Sequence, residues 1–126
     1  MRSWRVLDVG FIGIVSDSAA ARGFYAGALG LEVLDTADDY LYLSAGPEAR
    51  VEILSSTSES ARAQRADAPS IGFLVDDLDA ARQALTPTGL LSQDVGEWHS
   101  ETEAHRWCYL RDPAGNVLLL LERRSK

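Results

Sequence analysis

Apolar and polar positions alternate along this chain in a pattern that occurs twice. Residues 5–15 are rich in Val, Ile and Phe and predict a strand. Asp17 and Ser18 suit a helix N-terminus. Ala21, Phe24, Tyr25 and Ala28 follow at i, i+3, i+4 and i+7, which predicts a helix with one buried stripe. Gly30 marks its C-terminal stop. Three short strands are expected near 31–36, 39–45 and 49–55, the last two joined by Ala45-Gly-Pro-Glu. The polar stretch 56–68 reads as a linker. The order then repeats, with a strand at 70–75, a helix at 77–86 and strands near 89–95, 104–111 and 116–123. Leu78, Ala81 and Leu85 share one face of that second helix, and Pro87 is expected to end it. Asp112-Pro-Ala-Gly carries the residues of a type I turn.

The repetition extends to residue identity. Val15-Ser-Asp-Ser-Ala-Ala-Ala-Arg is echoed by Val75-Asp-Asp-Leu-Asp-Ala-Ala-Arg. Farther on, Tyr40-Leu-Tyr-Leu-Ser aligns with Trp107-Cys-Tyr-Leu-Arg, and Val51-Glu-Ile-Leu with Leu118-Leu-Leu-Leu. The first echo has a spacing of 60 and the second of 67, so seven extra residues are expected in one loop before Trp107. The chain is expected to form a single domain, 1–126, built from two modules, 5–55 and 69–123, joined by linker 56–68. Each module has the order βαβββ. Runs of three strands demand mainly antiparallel pairing, so the class is α+β. A ligand site is expected between the modules.

Composition narrows the partners. Twelve basic residues against nineteen acidic ones give a net charge of −7, which argues against nucleic acid. The single cysteine, Cys108, excludes internal disulfides and a cysteine-based zinc cluster. No apolar run is long enough for a signal peptide or a membrane span, so no membrane partner and a cytoplasmic location are expected.

Three segments carry a family resemblance. They are Val15-Ser-Asp with Phe24-Tyr25 and Leu29-Gly30-Leu31, then Val75-Asp-Asp-Leu, and finally Tyr109-Leu-Arg-Asp-Pro-Ala-Gly-Asn116. Together the chain resembles the vicinal oxygen chelate superfamily of glyoxalase I, bleomycin-resistance proteins, fosfomycin-modifying enzymes and extradiol dioxygenases. The resemblance implies a mostly antiparallel mixed sheet curved into a cup, and a homodimer. It also implies four metal-ligand positions in the metal-dependent members, usually His and Glu. Carried onto this chain they fall on Gly10, Ser70, Glu52 and Leu119. Glycine and leucine supply no donor and serine a poor one, so no metal and no cofactor are expected.

Other residues compete for roles. Glu52 lies in an apolar strand and is expected on the cup side, as an acid or base or as a partner for a cation. Trp107 and Tyr109 share a strand face, with Tyr40 and Tyr42 as their counterparts, and together suit a flat-walled ligand pocket. His105 has the same parity and is a second acid–base candidate. The stretch 93–105 reads as an acidic lid with Trp98 as a wedge. A relocated metal site of His99, Glu101 and His105 is a weaker alternative. Asp8 is a rim residue, Cys108 an inert thiol buried against a helix, and Trp4 a contact for a partner chain. Arg22 and Arg82 read as surface partners for carboxylates.

Three functions stay open. The first is metal-free binding of a small cationic or aromatic molecule, such as an antibiotic, which would confer resistance. The second is a lyase, isomerase or dioxygenase-like enzyme with a non-standard site. The third is a partner module whose cup has filled.

Overall fold

The computed structural model describes residues 3–58, 61, 68–92 and 94–126. Among them run β1 (Val6–Val15), α1 (Ser18–Arg22), β2 (Glu32–Ala37), β3 (Tyr40–Ser44), β4 (Arg50–Leu54), β5 (Ser70–Val75), α2 (Leu78–Leu85), β6 (Gly96–His99), β7 (Glu103–Arg111) and β8 (Val117–Ser125). This is the expected βαβββ order, twice. The chain divides into two compact units, Gly10–Ile71 and Met1–Val9 with Gly72–Lys126.

In Gly10–Ile71 the strands lie in the order β2-β3-β4-β1. β1 runs parallel to β4, while β2–β3 and β3–β4 are antiparallel. Alternation along β3 turns Leu41 and Leu43 to one face and Tyr40 and Tyr42 to the other. The leucines pack with Ile53 and with Ala21 of α1, joined by Tyr25 and Val33. Burying each Leu or Ile stabilises the fold by about 1.5–3 kcal/mol.

The first helix departs from its prediction. It is α-helical only to Arg22, and Gly23–Ala28 winds as a π-helix. The Leu29 N–H accordingly bonds the Phe24 carbonyl, five residues back, at 2.9 Å. The wider winding changes the angular spacing, so the i, i+3, i+4, i+7 set no longer shares a face. Ala21 and Tyr25 pack inward, whereas Phe24 is 54% exposed and Ala28 lies at the surface. Gly30, at φ 75°, ends the turn as expected.

The second unit orders its strands β5-β8-β7-β6, with antiparallel β7–β8 and β6–β7 pairs. Its core holds Trp4, Val75, Leu78, Ala81, Cys108 and Leu120. Trp4 is therefore interior to its own chain, not a contact for a partner. Backbone pairing brings it there. The Arg5 N–H donates to Asp76 Oδ1 at 2.7 Å, and the Asp76 N–H donates to the Arg5 carbonyl at 3.2 Å. Arg82 is half-buried, and its positive charge lies near the Cys108 thiol. α2 ends at Leu85, ahead of Pro87 as expected, and Thr86–Thr88 adds one 3-10 turn, where a missing proline N–H is tolerated, before Gly89 at φ 71°.

The largest correction concerns β6. Among the described residues of 89–95 only Leu91 pairs, in an isolated bridge with Leu110, and the strand is Gly96–His99, inside the stretch read as a lid. Pairing with β7 satisfies the backbone groups that a loop would leave to water. In the first module the equivalent hairpin closes at Ala37↔Tyr40. In the second it continues beyond Gly96↔Trp107 for three more pairs, ending at His99↔Ala104. The extra residues before Trp107 lengthen a hairpin. The linker 56–68 lies mostly outside the described residues, and of those described Ser58 and Ala61 are buried.

Candidate functional site

In both units one sheet face packs under the helix, and the opposite face carries the candidate residues. The sequence echo reappears as register. Tyr42 pairs with Glu52 in the first unit as Tyr109 pairs with Leu119 in the second. Tyr40 pairs with Leu54 as Trp107 pairs with Leu121.

In the first unit Glu52 stands between Tyr42 on β3 and Gly13 on β1. Tyr42 is only 2% exposed. Burial of the Glu52 carboxyl, reinforced by the negative charge of Asp39, lifts its pKa from 4.5 to about 7. Glu52 as a residue keeps part of its surface accessible. The Tyr40 hydroxyl donates to Asp35 Oδ2 at 2.8 Å, which fixes the ring from its far end.

In the second unit the β6–β7 hairpin brings Trp98 against His105, with ring centroids 4.7 Å apart. His105 Nε2 lies 3.0 Å from Glu103 Oε1, and Arg123 Nε lies 3.6 Å from the same oxygen. All three side chains are buried. Glu103 and Arg123 were not foreseen as companions of His105. The alternation Glu103-x-His105-x-Trp107-x-Tyr109 would have placed Glu103 on this face, but Arg123 joins only through the β7–β8 register, His105↔Arg123. Trp107 and Tyr109 are half-buried on that face. His99 alternates with Trp98 and therefore projects from the face opposite His105. Asp8 is exposed and accepts a bond from the Val9 N–H.

On the helix side, Glu122 Oε1 accepts the Leu78 N–H at 2.6 Å. Arg106 reaches Asp79, Glu97 and Glu122. These groups anchor α2 and stand apart from the candidate face. Cys108 is buried in the core beneath α2, as expected, and burial pushes its thiol pKa up.

The four positions that the resemblance assigns to metal ligands can be compared with the atoms found there. Gly10 is buried and has no side chain, and Leu119 is buried hydrocarbon. Ser70 is 1% exposed, and its hydroxyl has no partner among the described residues. Glu52 supplies the single carboxylate. A divalent ion requires three or more N or O donors, so these residues do not fit one. Among the described residues no group of three or more His, Cys, Asp or Glu side chains is arranged to hold a metal elsewhere.

Comparison with known proteins places the fold. Among curated proteins none matches the sequence significantly. Among solved structures, a glyoxalase/bleomycin resistance protein/dioxygenase superfamily member from Vibrio splendidus 12B01 is similar at 13% identity. It covers 95% of this chain and 99% of its own, with a TM-score of 0.64. A methylmalonyl-CoA epimerase variant from Streptomyces coelicolor, in complex with 2-nitronate-propionyl-CoA, is similar at 20% identity. The coverage is 94% and 98%, and the TM-score 0.66. A Mn(II)-bound glyoxalase from Novosphingobium aromaticivorans is 18% identical over 94% of this chain and 40% of its own, with a TM-score of 0.68. These likenesses establish the fold. Residues 11–120 match the family described as Glyoxalase/Bleomycin resistance protein/Dioxygenase superfamily, and the chain belongs to it.

Proposed function

We propose that this protein captures a small cationic or aromatic molecule without using a metal. One observation carries the reading: of the four positions that hold metal in metal-dependent members, only Glu52 retains a strong donor, and its pKa is raised to about 7. A cation beside Glu52 reverses that shift by favouring the carboxylate. Tyr42 is too buried to meet a ligand, but half-buried Tyr40 in the first unit, and half-buried Trp107 and Tyr109 in the second, each offer stacking surface for a planar or cationic group. If the ligand is an antibiotic, capture confers resistance. Superfamily members bind small molecules, which agrees with this reading but does not name the ligand. The accompanying proposals are a cytoplasmic location and a homodimer. Exposed Val6, Leu7 and Val9 on β1 support the dimer, since a second copy would cover that apolar surface.

Titration calorimetry with a panel of cationic aromatic drugs, on protein dialysed against EDTA, tests the capture. Binding should persist without metal and strengthen from pH 5 to pH 8 as Glu52 ionises. Binding that appears only after a divalent metal is restored would overturn the reading.

A second reading rests on the same carboxyl. A pKa near 7 suits a general base working at neutral pH, and the epimerase is among the similar folds. Under this reading the protein moves a proton on a carbon acid, as an isomerase or lyase. Deuterium exchange from solvent into carbon acids, lost in Glu52→Gln, would favour it over simple capture.

A further inference from the structure

Gly96 and Trp107 face each other across the β6–β7 hairpin, and such partners direct their side chains to one face of the sheet. Gly96 has no side chain, and the Trp107 indole occupies the space one would fill. A methyl carbon built on Gly96 would lie 2.5 Å from Trp107 Cζ2 and 2.7 Å from Nε1. Carbon atoms in contact sit about 3.5–4.0 Å apart, so no side chain fits while the ring stays there. Backbone conformation does not explain the glycine, because Gly96 is not among the positive-φ residues. Close approach of the ring does, which is a recognised use of glycine within a strand.

The ring therefore leans over the backbone of β6, the outermost strand of its unit. Trp107 remains half-buried, so part of the ring stays accessible, and half-buried Tyr109 follows it on the same face. We infer that Gly96 is the specificity-determining residue of this aromatic wall: it lets Trp107 lie flat, and a flat ring selects planar unsaturated ligands over saturated ones of equal charge. The inference rests on the capture reading above and names the ligand's shape.

The experiment compares wild type, Gly96→Ala, Trp107→Leu and the double variant Gly96→Ala/Trp107→Leu. Two probes of like charge are titrated: proflavine, which is planar, and dicyclohexylamine, which is not. Acrylamide quenching reports the exposure of Trp107, with Trp107→Leu assigning its share of the emission. In Gly96→Ala, Trp107 quenching should rise and proflavine affinity fall about five- to tenfold, the range of a lost stacking contact. Dicyclohexylamine affinity should change less than about twofold, within the scatter of surface substitutions. In the Trp107→Leu background the alanine should have no further effect on either probe. Unchanged quenching in Gly96→Ala, or equal weakening of both probes, would overturn the inference. Should Gly96→Ala fail to fold, the double variant, which removes the clash, must recover; a double variant as unstable as the single one also overturns it. Wild type that binds neither probe removes the specificity claim together with the capture reading, whereas wild type that binds both alike removes the specificity claim alone.

Discussion

Glu52 carries the clearest consequence of its surroundings. Its carboxyl titrates near 4.5 in an unfolded chain and near 7 in the native one. Between those values the native state binds more protons, so stability falls as pH rises through this window and levels off above about pH 7. The loss at pH 8 is on the order of 2–3 kcal/mol, less than the full shift would give because solvent still reaches part of the residue. Glu52→Gln should abolish this slope. Urea denaturation at pH 5 and pH 8 would show the wild type weakening and the variant holding constant; parallel slopes would mean that Glu52 is not the titrating group. Cys108 gives a second residue-scale expectation. Burial raises its thiol pKa against the opposing charge and hydrogen bond of Arg82. Iodoacetamide should therefore alkylate the native protein at least about a hundredfold more slowly than the urea-unfolded chain, since the thiolate is the reactive form.

At the scale of elements, α2 is held by its first turn. Asp77 accepts the Ala80 N–H at 3.0 Å, and Glu122 reaches from β8 to accept the Leu78 N–H at 2.6 Å. Glu122→Ala leaves that buried donor without its acceptor and removes a partner from Arg106 and Arg124. The expected destabilisation is about 1.5–3 kcal/mol, the range for hydrogen bonds to charged groups, measured as a lowered urea midpoint. Asp77→Ala should cost about 1 kcal/mol as a lost N-cap. The Asp77 cap is a local signal, an acidic residue just before an apolar helical run, but the helix read as 77–86 placed Asp77 inside it. The Glu122 contact was not legible, because it joins residues 44 positions apart. The lengthened hairpin was half legible. Its extra residues were correctly located before Trp107, but Gly96, Glu97 and His99 look like loop residues until β7 offers them partners.

For the whole chain, the donor count gives the next expectation. Adding Zn²⁺, Mn²⁺, Ni²⁺ or Fe²⁺ to EDTA-treated protein should move the melting temperature by less than about 1 °C, because a ligand stabilises the native state only when it binds it. A rise of several degrees with any of these ions would place a metal in the protein. By itself the sequence determined the βαβββ repeat and the superfamily. These are written in periodicity, capping residues and identities at fixed spacing, and they need no knowledge of distant neighbours. Tertiary structure alone decided the π-wound turn that exposes Phe24, the strand status of Gly96–His99, the interior place of Trp4, the joining of Glu103 and Arg123 to His105, and the shift on Glu52. Apart from the π-wound turn, each depends on which groups far apart in the chain are brought into contact and how much water they lose there, quantities that no local pattern encodes.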